Sequence, residues 1–150
     1  MNSVVLIDGN EGKLLHIANG QYRTIISGTQ TGERYAVIEM NVPPGGGPGP
    51  HAHKTIEEIF YVVSGEVDFY SESGVSKAKS GDTVHVPMGG AIHAFKNNGD
   101  NTARLICTVL PAGLEQMFAE IDSAGLSLAK EIGEKFGNQF YPPDYLEKKL

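Results

Sequence analysis

The sequence has few cysteines, no run of basic residues and no long apolar segment. Cys107 is the only cysteine in 150 residues, which excludes an intramolecular disulfide and favours a reducing, cytoplasmic compartment. Twelve Lys and Arg stand against 18 Asp and Glu, a net charge of −6, and they form no basic patch. No nucleic-acid partner is therefore expected. The apolar run Val4 to Ile7 is too short for a signal peptide or a membrane span, so no membrane association is expected.

Glycine, in contrast, is abundant, with 19 residues that often fall in clusters. Such clusters are typical of many short strands joined by tight turns. Segments with alternating or continuous apolar residues recur between residues 21 and 110 and predict an all-β sandwich or barrel. The predicted strands are 22–26, 35–42, 59–63, 66–70, 75–79, 83–86, 91–96 and 104–110. The strongest pair is 59–63 and 66–70, joined across Ser64 and Gly65, and a polar turn is expected at 28–33.

The pattern changes after Pro111. Leu114, Met117, Phe118 and Ile121 share one face of an amphipathic helix, and a second helix is expected over 126–136, followed by an extended tail. We therefore expect residues 1–110 to form the barrel, with its core at 35–110. Residues 111–150 should form helices and a tail packed on it, within a single domain.

Four side chains in the β region have the pattern of a metal site. His51 and His53 are two residues apart beside a strand, so both imidazoles point to the same face. Glu58 follows in the next strand, and His93 comes from a separate one. Three imidazoles and one carboxylate suit a divalent transition metal such as Fe, Mn, Ni, Co, Cu or Zn. The alternative is that these residues are ordinary surface histidines and an exposed glutamate.

Other polar residues are weaker candidates for function. Glu57 should point away from Glu58, and it would become a ligand only if the strand register slipped by one residue. His85 lies between two valines, which predicts a position on the outside of the barrel. Cys107 shares a strand face with Leu105 and Val109 and is expected to be buried as a small apolar residue. His16 has no convergent partner in the sequence.

Two spaced motifs of glycine, histidine and glutamate resemble those of the cupin superfamily. The first is matched by Gly45, His51, His53, Glu58 and Gly65, and the second by Gly81, Pro87, Gly89, His93 and Asn97. The second motif departs from the family pattern by one extra residue between Gly89 and His93. Taking Gly90 as the motif glycine restores the usual spacing.

The resemblance implies a double-stranded β-helix, or jelly-roll barrel, with a short C-terminal helical extension and one divalent metal held by His51, His53, Glu58 and His93. The Pro/Gly run before His51 and the ending Phe136 to Pro143 are similar to small bacterial cupins grouped with quercetin 2,3-dioxygenase. This likeness implies a metal-dependent dioxygenase acting on a small aromatic or enol-bearing substrate, with Glu58 also serving as general base. The alternatives are a metal-dependent isomerase or lyase, and a non-catalytic small-molecule-binding protein. Small cupins are commonly homodimers, so a homodimer is expected.

Overall fold

Two antiparallel sheets make up most of the structure. The computed structural model describes residues 2–150, so the predicted domain boundary at residue 1 lies outside the described residues. Within 2–150 there are eleven strands. They are β1 Leu15–Ile17, β2 Gly20–Ile26, β3 Ala36–Val42, β4 His51–His53, β5 Glu57–Ser64, β6 Glu66–Ser71, β7 Gly74–Lys79, β8 Thr83–Val86, β9 His93–Lys96, β10 Ala103–Leu110 and β11 Asn138–Phe140. The predicted all-β fold class is confirmed.

In both sheets, many neighbouring strands are not consecutive in the sequence. One sheet has the order β1-β2-β3-β10-β5-β8, and the other has the order β11-β4-β9-β6-β7. The prediction that 59–63 and 66–70 pair across Ser64 and Gly65 is wrong, because β5 and β6 lie in different sheets. At Gly65 the chain crosses from one sheet to the other with φ +76°, and a Cβ there would lie 2.8 Å from Ala103 Cα. The partner of β6 in sequence is β7, which pairs with it along its whole length.

One helical turn lies between β2 and β3, and the longer helices follow β10. The turn predicted at 28–33 contains a single helical turn, α1 Gly28–Thr31, because Ser27 and Gln30 form a reciprocal capping box at its start. The two predicted C-terminal helices are present as α2 Leu114–Ala124 and α3 Ala129–Lys135, with a 3₁₀ turn, Leu126–Leu128, between them. The predicted tail is only partly extended, since it contains β11 and a final 3₁₀ turn at Glu147–Lys149.

The core lies between the sheets and extends under α2. Inward residues alternate along the strands, as in β5, where Glu58, Phe60 and Val62 are buried while Tyr61 is exposed. The apolar face of α2 joins the same cluster of buried side chains; its members are Leu114, Met117, Phe118 and Ile121. Burial of each such side chain stabilises the fold by about 1.5–3 kcal/mol, which is why the helix stays on the barrel.

Within residues 2–150, no helix is long and apolar enough to cross a membrane. The apolar residues near the N-terminus do not cover the barrel in this chain. Val4, Val5 and Leu6 are all exposed.

A buried ion-pair network stabilises the larger sheet. The Glu39 carboxylate accepts hydrogen bonds from Arg23 Nε at 3.2 Å and Arg104 Nε at 2.8 Å. Burial opposes ionisation of Glu39, but the hydrogen bonds from the two guanidinium groups outweigh it and hold the pKa of Glu39 below its usual range. Arg23 also donates to the backbone oxygen of Glu11 at 2.8 Å, which ties the N-terminal segment to the sheet.

We expect this network to make stability depend on acid pH. Because the folded-state pKa of Glu39 is depressed, its contribution is complete above the unfolded pKa of about 4.3 and is lost as the pH falls through the lower folded value. Glu39→Gln should lower the free energy of unfolding by about 1–3 kcal/mol at pH 7. The difference from wild type should shrink below pH 4 in urea titrations.

Glu66→Gln is the matched control, because the exposed pair of Glu66 with Lys77 should contribute less than about 1 kcal/mol. A difference between wild type and Glu39→Gln that stayed constant from pH 7 to pH 3 would contradict the assignment to Glu39.

Candidate metal centre

Three histidines converge from neighbouring strands of the five-stranded sheet. His51 and His53 lie on β4, two residues apart, and so face the same side. His93 on β9 is the register partner of His51, and their ring centroids are 4.3 Å apart. All three side chains are buried. The predicted convergence of these residues is therefore present in the structure.

Glu58 reaches the same point from the opposite sheet. It lies on β5 of the six-stranded sheet, on the inward face that also carries Phe60. Its Oε1 is 3.0 Å from His93 Nε2 and 3.1 Å from His53 Nε2. The cluster thus joins the two sheets at a single point between them.

Each imidazole is oriented by an oxygen acceptor at Nδ1. Nδ1 of His51 lies 2.8 Å from Gly49 O, Nδ1 of His93 lies 2.9 Å from Ala91 O, and Nδ1 of His53 lies 2.6 Å from Asn138 Oδ1. Carbonyl and amide oxygens carry no proton to donate, so Nδ1 must be the protonated nitrogen in each ring. Without a metal, Nε2 of His53 and of His93 donates to Glu58 Oε1. Metal binding requires neutral rings, in which Nε2 instead presents its lone pair to the centre.

The charges at this point are strongly coupled. Burial opposes ionisation of Glu58, but hydrogen bonds from His53 and His93 outweigh it and hold the pKa of its carboxyl well below the usual range. Burial also lowers the pKa of His93, yet its hydrogen bond to Glu58 reverses this and raises it overall. His51 has its pKa lowered to about 3, first by burial and then by the charges of His93 and His53. The centre therefore combines an ionised carboxylate with a neutral imidazole.

These residues fit a divalent transition metal. One ligand atom from each of the four can be chosen so that all lie within 4.8 Å of one another. Two metal–ligand bonds of about 2.2 Å allow a separation of at most about 4.4 Å, so only a small contraction is needed. Three nitrogen donors and one carboxylate oxygen form the mixed set that Fe, Mn, Co, Ni, Cu and Zn accept. The cluster could hold such an ion, and its binding of one stays a prediction.

A mainly apolar cavity of about 270 Å³ opens beside three of the four residues, His51, His53 and Glu58. Tyr22 and Met40 line it from one sheet, and Phe118 and Ile121 line it from α2. A larger, more open groove of about 610 Å³ touches the cluster only through His93. The smaller cavity is therefore the better place for a ligand that must reach most of the donor residues.

The loop before His51 is held by a residue of the second motif. Asn97 Nδ2 donates to Val42 O at 2.8 Å, and its backbone N donates to Gly46 O at 3.0 Å. Gly45 N in turn donates to Asn97 O at 2.8 Å. These bonds tie the Pro/Gly loop to the end of β9, so the loop delivers His51 next to His93.

The other polar candidates, Glu57, His85 and Cys107, occupy the positions that were predicted from the sequence. Glu57 and His85 contact each other on the outer face of the sheet, with more than half of the His85 side chain exposed. Cys107 is fully buried and its Sγ is 3.9 Å from Glu58 Oε2. His16 is exposed and only its backbone N–H bonds to Asp122.

The apolar strand residues near the cluster border different spaces. Phe60 and Phe95 line the apolar cavity, and Val84 and Val86 line the open groove. Val62 lines neither of them and is buried in the core.

Two contributions to the site were not predicted from the sequence. The wall formed by α2 follows from the same apolar face that predicted the helix, but nothing local indicated that the face lies over a cavity. Asn138 lies in the Phe-Gly-Asn-Gln-Phe-Tyr-Pro-Pro ending, which drew attention only as a family likeness. Its contact with His53 spans 85 residues of sequence and has no local signal.

Two facing antiparallel sheets with a His/Glu cluster between them define a double-stranded β-helix protein with a possible metal site. Residues 38–109 match the family model described as Cupin domain, and this span contains both motifs. The resemblance to the cupin superfamily that the motifs predict is thus confirmed over residues 38–109.

The named relatives of this chain have low sequence identity to it. "Polyketide synthase CurC" of Streptomyces cyaneus is 26% identical over 116 residues, which cover 75% of this chain and 73% of that protein. Quercetin 2,3-dioxygenase of Bacillus subtilis is 21% identical over 113 residues, which cover 75% of this chain but 33% of the enzyme. The solved structure of the polyketide cyclase RemF from Streptomyces resistomycificus aligns with a TM-score of 0.62 at 20% identity, covering 73% of this chain and 80% of RemF. That last likeness shows the fold alone.

Proposed function

We propose that this protein is a metal-dependent enzyme of the dioxygenase type that acts on a small aromatic or enol-bearing substrate. The observation that carries the proposal is the apolar cavity beside His51, His53 and Glu58. An aromatic ring would be desolvated against Phe118 and Ile121, while an acidic hydroxyl at its edge would point toward the buried donors. The distant likeness to a quercetin 2,3-dioxygenase supports the same substrate class.

A bound divalent metal would act as a Lewis acid toward the acidic hydroxyl and, if redox-active, would permit chemistry with O2. The side chains of the protein would orient the substrate, exclude water and accept the proton. The walls of the cavity exclude water and hold the ring in one orientation. Glu58 Oε1 is shared between two histidines, which leaves Oε2 as the oxygen able to take a proton from the substrate hydroxyl.

Tyr22 is a further polar group in this cavity. Its ring is almost fully buried and lies edge-on to Phe118, with centroids 5.1 Å apart. Burial, followed by the charges of Cys107 and Glu58, raises the pKa of its phenol far above the usual value. Tyr22 therefore stays neutral at physiological pH, and its hydroxyl keeps a proton that it can donate to a bound substrate.

Oxygen consumption tests the proposal directly. The metal-free protein is loaded separately with Fe²⁺, Mn²⁺, Co²⁺ and Ni²⁺ and mixed with flavonols and related enols in an oxygen-electrode chamber. We expect at least one loaded form to consume O2 in step with loss of the substrate's absorption band. If all four forms consume no oxygen, the dioxygenase proposal is wrong.

A second candidate is an isomerase, lyase or cyclase that needs no O2. It is favoured by the distant likeness to "Polyketide synthase CurC", which covers 75% of this chain. The same incubations under nitrogen separate the two candidates, because only the second gives product without oxygen. Saturable substrate binding without turnover in either atmosphere would instead favour a non-catalytic binding protein.

We also propose that the chain is a cytoplasmic homodimer. The exposed apolar side chains of Val4, Val5 and Leu6 support this, because a second copy could cover them. The single cysteine supports a reducing compartment.

A further inference from the structure

The last strand of the chain borders the metal centre although it lies outside the residues 38–109 that match the cupin model. β11 pairs antiparallel with β4, so that Asn138 is the register partner of His53 and Phe140 that of His51. Asn138 is buried, whereas Gln139 beside it is exposed. The side chain of Asn138 therefore faces inward at the level of the histidines.

The orientation of the Asn138 amide follows from its two partners. Its Nδ2 donates to Met117 Sδ at 3.2 Å, and its Oδ1 lies 2.6 Å from His53 Nδ1. A thioether sulfur has no proton to donate, so the amide nitrogen must face Met117 and the oxygen must face His53. The oxygen accepts the Nδ1 proton of His53, and His53 Nε2 is thereby directed at Glu58.

His53 differs in this respect from the two other histidines. His51 and His93 donate to backbone carbonyls two residues earlier, at Gly49 and Ala91, which come with the local chain geometry. Only His53, among the three, is oriented by a side chain, and that side chain is supplied by the C-terminal segment.

The segment is seated tightly enough to act as a fixed support. Tyr141 N donates to Pro50 O at 3.1 Å, which ties the end of β11 to the start of β4. On the other side, a Cβ on Gly133 of α3 would lie 2.4 Å from the Phe140 ring, so helix and strand are in close contact. Asn138 therefore has little freedom to leave His53.

We propose that Asn138 is a positioning residue of the metal centre, which makes the C-terminal segment part of the site. It holds the His53 ring with Nδ1 protonated and Nε2 free to bind the ion. Replacement of a residue that orients a metal-binding histidine typically lowers the affinity for the metal about 10–100-fold. The inference rests on the proposed function in one respect, namely that the cluster binds a metal.

Metal affinity of three full-length variants tests the inference. Asn138→Leu keeps a similar volume but has no acceptor, Asn138→Asp keeps the acceptor, and Gln139→Leu alters the exposed neighbour. Each metal-free protein is titrated with Co²⁺ against a chelator, and the visible absorption of the bound Co²⁺ is recorded. We expect Asn138→Leu to bind about 10–100-fold more weakly with an altered spectrum, Asn138→Asp to bind within about threefold of wild type, and Gln139→Leu to be unchanged.

The outcomes separate this inference from the proposed function. If wild type binds no Co²⁺, the metal centre itself is refuted. If wild type binds and Asn138→Leu binds equally well with the same spectrum, Asn138 has no positioning role. If Asn138→Leu does not fold, long-range ¹H–¹⁵N spectra of histidine-labelled wild type decide, because the inference requires a slowly exchanging Nδ1 proton on His53, and its absence overturns it.

Discussion

His93→Ala should weaken divalent-metal binding at least roughly 100-fold, more than loss of a residue that only orients a ligand. The reason is that His93 supplies one of four donors and also contacts Glu58 Oε1 at 3.0 Å. With metal at 100 times the wild-type dissociation constant, binding should stabilise the wild type by about 2.7 kcal/mol. The same metal concentration should stabilise His93→Ala by only ~0.4 kcal/mol. Thermal unfolding with and without metal measures this difference.

His85→Ala is the matched control, since His85 is exposed on the outer face and pairs with Glu57 rather than with the cluster. It should retain the full stabilisation by metal. Circular dichroism of the metal-free proteins shows whether His93→Ala is folded before metal is added. Equal stabilisation of wild type and His93→Ala by Co²⁺ or Mn²⁺ would rule out His93 as a ligand.

Gly47→Ala should be among the most damaging changes outside the cluster. Gly47 has φ +123°, and a Cβ there would lie 2.0 Å from the backbone oxygen of Phe95, which belongs to the same strand as His93. Backbone strain and the forced displacement each cost about 1–3 kcal/mol, so the free energy of unfolding should fall by roughly 2–6 kcal/mol. Because the Pro/Gly loop and β9 would move apart, metal affinity should fall as well.

Gly49→Ala provides the comparison within the same loop. Nothing lies within 4 Å of a Cβ at Gly49, and the backbone oxygen that accepts from His51 Nδ1 is retained in alanine. We expect its unfolding free energy to change by less than about 0.5 kcal/mol, with metal binding unaltered. Urea titrations of both variants measure the two changes in the free energy of unfolding. Similar destabilisation of the two would mean that the close approach at Gly47 is not what limits this loop.

Most of the strands and the candidate ligands were predictable because both depend on local periodicity, but the short strands β1, β4 and β11 were not predicted. Alternation with period two places His51 with His53 on one face and separates Glu57 from Glu58, and the structure agrees at both places. The end of α3 has a similarly local cause, since Gly137 after it has the positive φ of +89° that helix termination often needs. A face, a turn and a helix end are each specified by a few neighbouring residues.

Strand pairing and the surroundings of the site were not predictable in this way. Period two says which face a side chain takes, but not which strand will lie beside it. The sequence therefore could not show that β5 and β6 belong to different sheets. The cavity wall from α2 and the bond from Asn138 to His53 arise between segments far apart in the chain. The amino-acid sequence by itself determined eight of the eleven described strands and the four converging donor residues. Only the tertiary structure decided what surrounds them, because long-range packing and hydrogen bonding depend on the whole folded chain.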